Sequence, residues 1–251
     1  MVAVESSFRS DGFAGRGWRL RAWREAAIVV EVCWRAAEGT TSGDFFESTV
    51  RPDGTVAAVL GDAPGFGAAA AQLAERLART AREALEDKRR PWQVLAALDA
   101  EAQLGGPEVV ATSLCVVVDS ASGTAELSSA GHLPAVVVRP GSVQRADPAG
   151  LPLGLGGERS VWSSYLGDQD TLFFFTDGLV ERQGSGIEVG LEVAERAAGP
   201  LSPAGSWASE LTRQVTEVLG PPVDDATVIS VRLDRRRGQL GSERRMAKRR
   251  R

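Results

Sequence analysis

Four short aspartate signatures stand at the edges of apolar runs in this chain: Ser42-Gly43-Asp44-Phe45, Gly61-Asp62-Ala63-Pro64-Gly65-Phe66-Gly67, Thr176-Asp177-Gly178 and Asp224-Asp225-Ala226-Thr227. Carboxylates placed where buried strands end can converge on one rim of a rigid scaffold. Ionised carboxylates gathered at one point repel unless a cation sits among them. Oxygen donors of this kind select hard ions such as Mg²⁺ or Mn²⁺. The chemistry to expect is therefore metal-dependent hydrolysis. Each signature taken alone also reads as an ordinary solvent-facing turn, and their joint occurrence is what separates the two readings.

The local settings differ. Asp177 follows Phe173-Phe174-Phe175, a run suited to a strand buried on both faces, and precedes a glycine that permits a sharp turn. Asp62 follows Val59-Leu60 in the same way, in a loop with glycines at 61, 65 and 67. A helix beginning near Ala68 would point its positive end at that loop. No Lys-Ser/Thr follows the glycines, so the loop is not a nucleotide P-loop. Asp224 and Asp225 precede their strand. Neighbouring side chains of an extended segment point opposite ways, so one should face the site and the other should bond the scaffold. His132 is the only histidine, which excludes a histidine-rich metal hydrolase, and its Gly131-His132-Leu133 setting reads as a strand-to-strand turn. Cys33 and Cys115 lie in apolar strand-like runs without metal or redox spacing, as buried free thiols do.

The elements that must hold these residues follow from periodicity. Residues 1–25 read as an irregular, amphipathic lead-in in which Trp18, Leu20 and Trp23 alternate with Arg. Ala26 to Trp34 is the first core strand, and Asp44 to Val50 and Thr55 to Leu60 form a hairpin around Pro52-Asp53-Gly54. Ala68 to Lys88 keeps Leu73, Leu77, Ala81 and Leu85 on one helical face, and Pro91 opens a second helix that Gly105-Gly106-Pro107 stops. Strands resume at 113–119, 124–129 and 134–139, and residues 159–166 and 171–176 read as a further pair around Gly167-Asp168. Helices at 188–198 and 206–219 precede a last strand at 227–233. Strands in hairpin-linked groups and helices in pairs argue for an α+β fold, a central antiparallel β-sandwich flanked by α-helices.

Composition bounds the rest. With 251 residues, 43% hydrophobic and 25% charged, the chain can bury a substantial core. The net charge of −4 is uneven: residues 235–251 carry nine Lys or Arg against the single Glu243, which leaves an acidic body. That body is a poor nucleic-acid binder, and the basic tail reads as disordered. No stretch is apolar enough for a membrane span and no signal-peptide core is present, so the expected compartment is the cytoplasm.

In order along the chain stand SGDFF at 42–46, GDAPGFG at 61–67, SAGHLP at 129–134, GLPLGLG at 150–156, FTDGLVE at 175–181 and DDAT at 224–227. This set resembles the metal-dependent protein phosphatase superfamily of the protein phosphatase 2C type, in a bacterial branch similar to the stage II sporulation protein E phosphatase. The resemblance covers about residues 26–233 and implies the same layered fold, with a phosphatase domain at 26–234 and the basic tail outside it. It further implies a centre of two Mg²⁺ or Mn²⁺ ions held by Asp62, Asp177, Asp224 and the Ala63 carbonyl. Asp44 would lie beside it, binding through water or organising the site, and Asp225 would be the scaffold member of its pair. The activity implied is hydrolysis of phosphoserine or phosphothreonine on a protein, commonly an anti-sigma-factor antagonist in a partner-switching pathway. Two residues depart from the branch: Phe66 stands where His is common, and Ser42 replaces a glycine. The first departure leaves a second reading, a catalytically weak pseudophosphatase acting as a regulatory binding module.

Overall fold

A computed structural model describes residues 19–25, 27–35, 42–87, 89–201 and 205–234. Eleven strands form two antiparallel sheets among these residues. The six-stranded sheet has β1 (Arg19–Glu25), β2 (Ile28–Arg35), β11 (Ala226–Leu233), β10 (Thr171–Phe175), β7 (Ala135–Arg139) and β8 (Ser142–Ala146), in that spatial order. The five-stranded sheet runs β3 (Asp44–Val50), β4 (Thr55–Asp62), β5 (Thr112–Asp119), β6 (Thr124–Ala130) and β9 (Trp162–Tyr165).

Burial explains the long apolar runs, because the central strands are covered on both faces. Along β10, Leu172 and Phe174 point between the sheets while Phe173 and Phe175 point outward under helices. Along β4, Val56, Ala58 and Leu60 meet the opposite sheet while Ala57 and Val59 pack outward. This is the period-two alternation of a strand with apolar partners on either side. Helices α1 (Gly67–Glu86) and α2 (Pro91–Gln103) cover the five-stranded sheet through Leu73, Leu77, Leu95 and Leu98. Helices α3 (Ile187–Ala198) and α4 (Trp207–Leu219) cover the other through Leu191, Ala194, Leu211 and Val215. The result is the expected α-β-β-α stack.

Two local expectations are corrected and one strand is added. Residues 19–25 are not irregular: they form β1, antiparallel to β2 with Arg19 opposite Trp34. Its exposed Arg19 and Arg21 are the charges that keep an edge strand from pairing further. Residues 142–146 form an edge strand, β8, entered through the Pro140-Gly141 turn with Gly141 at φ +81°. Segments 159–166 and 171–176 do not pair with each other. β9 joins β6 in one sheet, while β10 joins β7 and β11 in the other. The turn between them carries the chain across the sandwich, with the Gly167 amide donating to Asp170 Oδ2 at 2.8 Å and Gln169 held at φ +77°. The basic segment 235–251 lies outside the described residues. No helix among the described residues is long and apolar enough to cross a membrane.

Candidate metal centre

One end of the sandwich collects all four aspartate signatures. Asp44 opens β3 and Asp62 closes β4, directly opposite each other in register. Asp62 in turn faces Thr112, the first residue of β5. From the other sheet, Asp177 follows the end of β10 as the first residue of a single 3-10 turn (Asp177–Leu179), and Asp224-Asp225 immediately precede β11. The Thr176 amide donates to the Thr227 carbonyl at 3.0 Å, which brings those two strand ends side by side. Antiparallel pairing is why carboxylates at the end of one strand and the start of the next share a rim.

The two sheets are tied at this rim by side chains. Asp44 Oδ2 accepts from Thr176 Oγ1 at 2.9 Å and from Thr227 Oγ1 at 2.6 Å. The Gly43 amide donates to Asp225 Oδ2 at 2.8 Å. Asp225 is thus the scaffold member of its pair, buried, while Asp224 is exposed and accepts the Asp225 amide at 2.7 Å. Close passage of backbone requires glycine at two points. A Cβ at Gly43 would stand 2.8 Å from the Ala63 carbonyl oxygen and 3.2 Å from Asp62 Oδ1, and one at Gly178 would stand 1.8 Å from the Asp225 carbonyl oxygen.

The electrostatics are those of crowded like charges. Asp62 is pushed up to about 7, first by burial and then by the carboxylates of Asp177, Asp224 and Asp225. Asp44 is raised well above the usual carboxylate range by burial, with Asp62 adding to the shift and the Thr227 hydroxyl opposing it. Burial also raises Asp177, with Glu181 and Asp224 contributing. Asp62, Asp177 and Asp224 therefore come near enough to feel one another across the two sheets. Among the described residues, no three His, Cys, Asp or Glu side chains have closed into a set that could itself hold an ion. The donor set nonetheless fits hard divalent cations: it is all oxygen, and its unbalanced negative charge is what such ions neutralise.

Neighbouring residues that could compete for a chemical role are committed to the scaffold. His132 is buried and its ring is pushed down to about 4 by burial, so it is neutral near pH 7. Its Nδ1 meets Thr112 Oγ1 at 2.9 Å, and its backbone amide donates to Ser129 Oγ at 3.1 Å, as a turn histidine should. Arg182, next to the Thr176-Asp177-Gly178 segment, donates to the carbonyls of Gly178 at 3.1 Å and Gly220 at 2.8 Å. Phe66 is 87% exposed at the start of α1 and caps nothing.

Three further residues matter that sequence reasoning did not single out. Thr176 and Thr227 sit inside two of the motifs, and in the folded chain both hydroxyls converge on Asp44. Asp99 of α2 accepts from the amides of Gly154 at 2.9 Å and Gly156 at 3.2 Å and from Arg159 at 3.0 Å, fixing the 150–159 loop. Its sequence setting, an acid on the inner face of an apolar helix, was the available signal.

Comparison with known proteins agrees with this geometry. The family described as Stage II sporulation protein E (SpoIIE) matches residues 52–234. Among solved structures, the RsbU and RsbW domains of a Mycobacterium tuberculosis protein match with a TM-score of 0.73 and 25% identity, over 87% of this chain and 60% of that one. The phosphatase domain with a regulatory fragment of SpoIIE from Bacillus subtilis matches with a TM-score of 0.68 and 21% identity, over 87% and 64%. RsbX in complex with magnesium matches with a TM-score of 0.65 and 16% identity, over 86% of this chain and the whole of that one. The chain thus spans less than two thirds of the first two proteins, and the fold is that of protein phosphatase 2C-type domains.

Proposed function

The chain belongs to the stage II sporulation protein E family, and on that premise we propose that it is a metal-dependent protein-serine/threonine phosphatase acting in the cytoplasm. The catalytic unit we infer is residues 26–234 together with the edge strand β1 (Arg19–Glu25). The substrate class is a phosphoprotein, and an anti-sigma-factor antagonist of a partner-switching pathway is the form that the family suggests. The observation that carries the reading is the shared rim, where Asp62 at the end of β4 stands in register with Asp44 of β3 while Asp177 follows β10 and Asp224 precedes β11. A protein keeps such an arrangement where cations are to be bound.

Asp62, Asp177, Asp224 and the Ala63 carbonyl would hold two Mg²⁺ or Mn²⁺ ions. When bound, these ions supply an acidified water for in-line attack and neutralise charge growing on the phosphoryl group. The chain's own part is to hold the donors. Asp44, its Oδ2 engaged by Thr176 and Thr227, has only Oδ1 left to offer. His132 is buried, and burial pushes its ring down to about 4, so it is neutral near pH 7. Arg182 spends its guanidinium on backbone carbonyls, so it fixes the turn that carries Asp177 and leaves charge stabilisation to the cations.

Asp62→Ala and Asp177→Ala should each abolish Mn²⁺-dependent hydrolysis of p-nitrophenyl phosphate and of a phosphoserine peptide. Near-wild-type turnover in either variant would refute the assignment. A second reading, a pseudophosphatase that binds phosphoprotein without turning it over, draws its support from Phe66, an exposed side chain that can neither donate nor accept a proton. Wild-type chain that binds Mn²⁺ and phosphopeptide with no release of phosphate would favour it.

A further inference from the structure

We propose that Thr176 and Thr227 are positioning residues that set the gap across which the metal-binding carboxylates face each other. The inference rests on the metal centre proposed above and deepens it. The acids come from different bodies: Asp62 from the five-stranded sheet, Asp177 and Asp224 from the strand ends of the six-stranded sheet. Nothing in the covalent chain between these positions fixes their separation.

The side-chain latch holds the two sheets together there. Asp44 stands in register with Asp62. Its Oδ2 takes the Thr176 hydroxyl at 2.9 Å and the Thr227 hydroxyl at 2.6 Å. Thr176 is the immediate neighbour of Asp177, and Thr227 lies three residues beyond Asp224. The Thr176 hydroxyl is held from two sides, because the Thr227 amide donates to Thr176 Oγ1 at 2.9 Å while that hydroxyl donates to Asp44 Oδ2. Both threonines are buried, so water does not compete for these bonds. A second tie lies beside the latch, where the Gly43 amide next to Asp44 donates to Asp225 Oδ2 at 2.8 Å.

The closing experiment measures Mn²⁺ binding by titration calorimetry on the full chain, for wild type, Thr176→Val, Thr227→Val, Thr176→Ser and Thr227→Ser, with urea unfolding of each metal-free protein alongside. Residues that orient metal ligands typically contribute 10–100-fold in affinity. Each valine variant should therefore bind Mn²⁺ about tenfold more weakly, while each serine variant, which keeps the hydroxyl, should stay within about twofold of wild type. Folded valine variants with wild-type affinity would overturn the latch, as would serine variants as weak as the valine ones. If Thr227→Val does not fold, the Thr176 pair carries the same comparison. A wild-type chain that takes up no Mn²⁺ would instead overturn the metal centre, and the latch with it.

Discussion

Asp62 holds its proton to about pH 7, and this has a measurable consequence for stability. In the unfolded chain an aspartate ionises near 4. Between roughly 4 and 7 the folded state therefore binds more protons than the unfolded one, so this contribution is complete below 4 and is lost as pH rises through 7. Asp44 and Asp177 are raised in the same direction. Buried His132, lowered to about 4, acts oppositely: the unfolded imidazole takes a proton below about 6.5 that the folded one refuses. The window free of the histidine lies above about pH 6.5. We expect the urea midpoint of metal-free protein to fall from about pH 6.5 to about pH 8, and Asp62→Asn to flatten that fall. A midpoint that rises over this range, or a slope unchanged by Asp62→Asn, would contradict the account. At this scale the sequence was informative about which acids gather, because each stands at the end of an apolar run. It was silent on how they are held, since a threonine beside an aspartate looks the same whether its hydroxyl meets solvent or a carboxylate from the other sheet.

Among the elements, β2 and α4 depend on one residue that interrupts an otherwise apolar strand. Glu31 is buried, and its Oε2 accepts from the amides of Trp207 at 2.6 Å and Ala208 at 3.1 Å and from the hydroxyls of Ser206 at 3.1 Å and Ser230 at 3.0 Å. A carboxylate at the first turn of α4 meets the positive end of the helix and satisfies amides that the helix itself cannot. Removing it leaves several buried donors without a partner. Glu31→Ala should cost about 3 kcal/mol in urea unfolding, with Glu31→Gln milder because an amide oxygen can still accept. A loss under about 1 kcal/mol would show that water replaces the carboxylate freely. Periodicity located all four helices and most strands, since their faces are apolar at regular spacing. It missed β1 and β8 because an edge strand is held largely by its neighbour's backbone, and charged residues such as Arg19 and Arg21 are what an edge should carry. It also paired 159–166 with 171–176, since adjacent strands usually make hairpins. Which sheet a strand joins depends on contacts from far along the chain.

Across the whole molecule, the core between the sheets decides whether the two halves can open separately. Ile28, Val30 and Val32 of one sheet meet Val56, Ala58 and Leu60 of the other in a single cluster, so neither sheet can leave without exposing the face of its partner. The cysteines report on this from opposite sides. Cys33 lies under α3 and α4, Cys115 under α1 and α2, and both are buried. Burial pushes each thiol up to about 12, so neither supplies thiolate to a reagent while the fold is closed. If the shared core makes unfolding all-or-none, both thiols become reactive in the same event. Alkylation followed by site-resolved mass spectrometry should then give equal labelling rates for Cys33 and Cys115 at every urea concentration, with the same urea dependence. Faster labelling of Cys115 at low urea would mean instead that the α1–α2 layer lifts from its sheet on its own. That layer carries the start of α1 just beyond Asp62, so such opening would expose the acidic rim without global unfolding. Equal rates would tie the geometry of the rim to the stability of the entire sandwich.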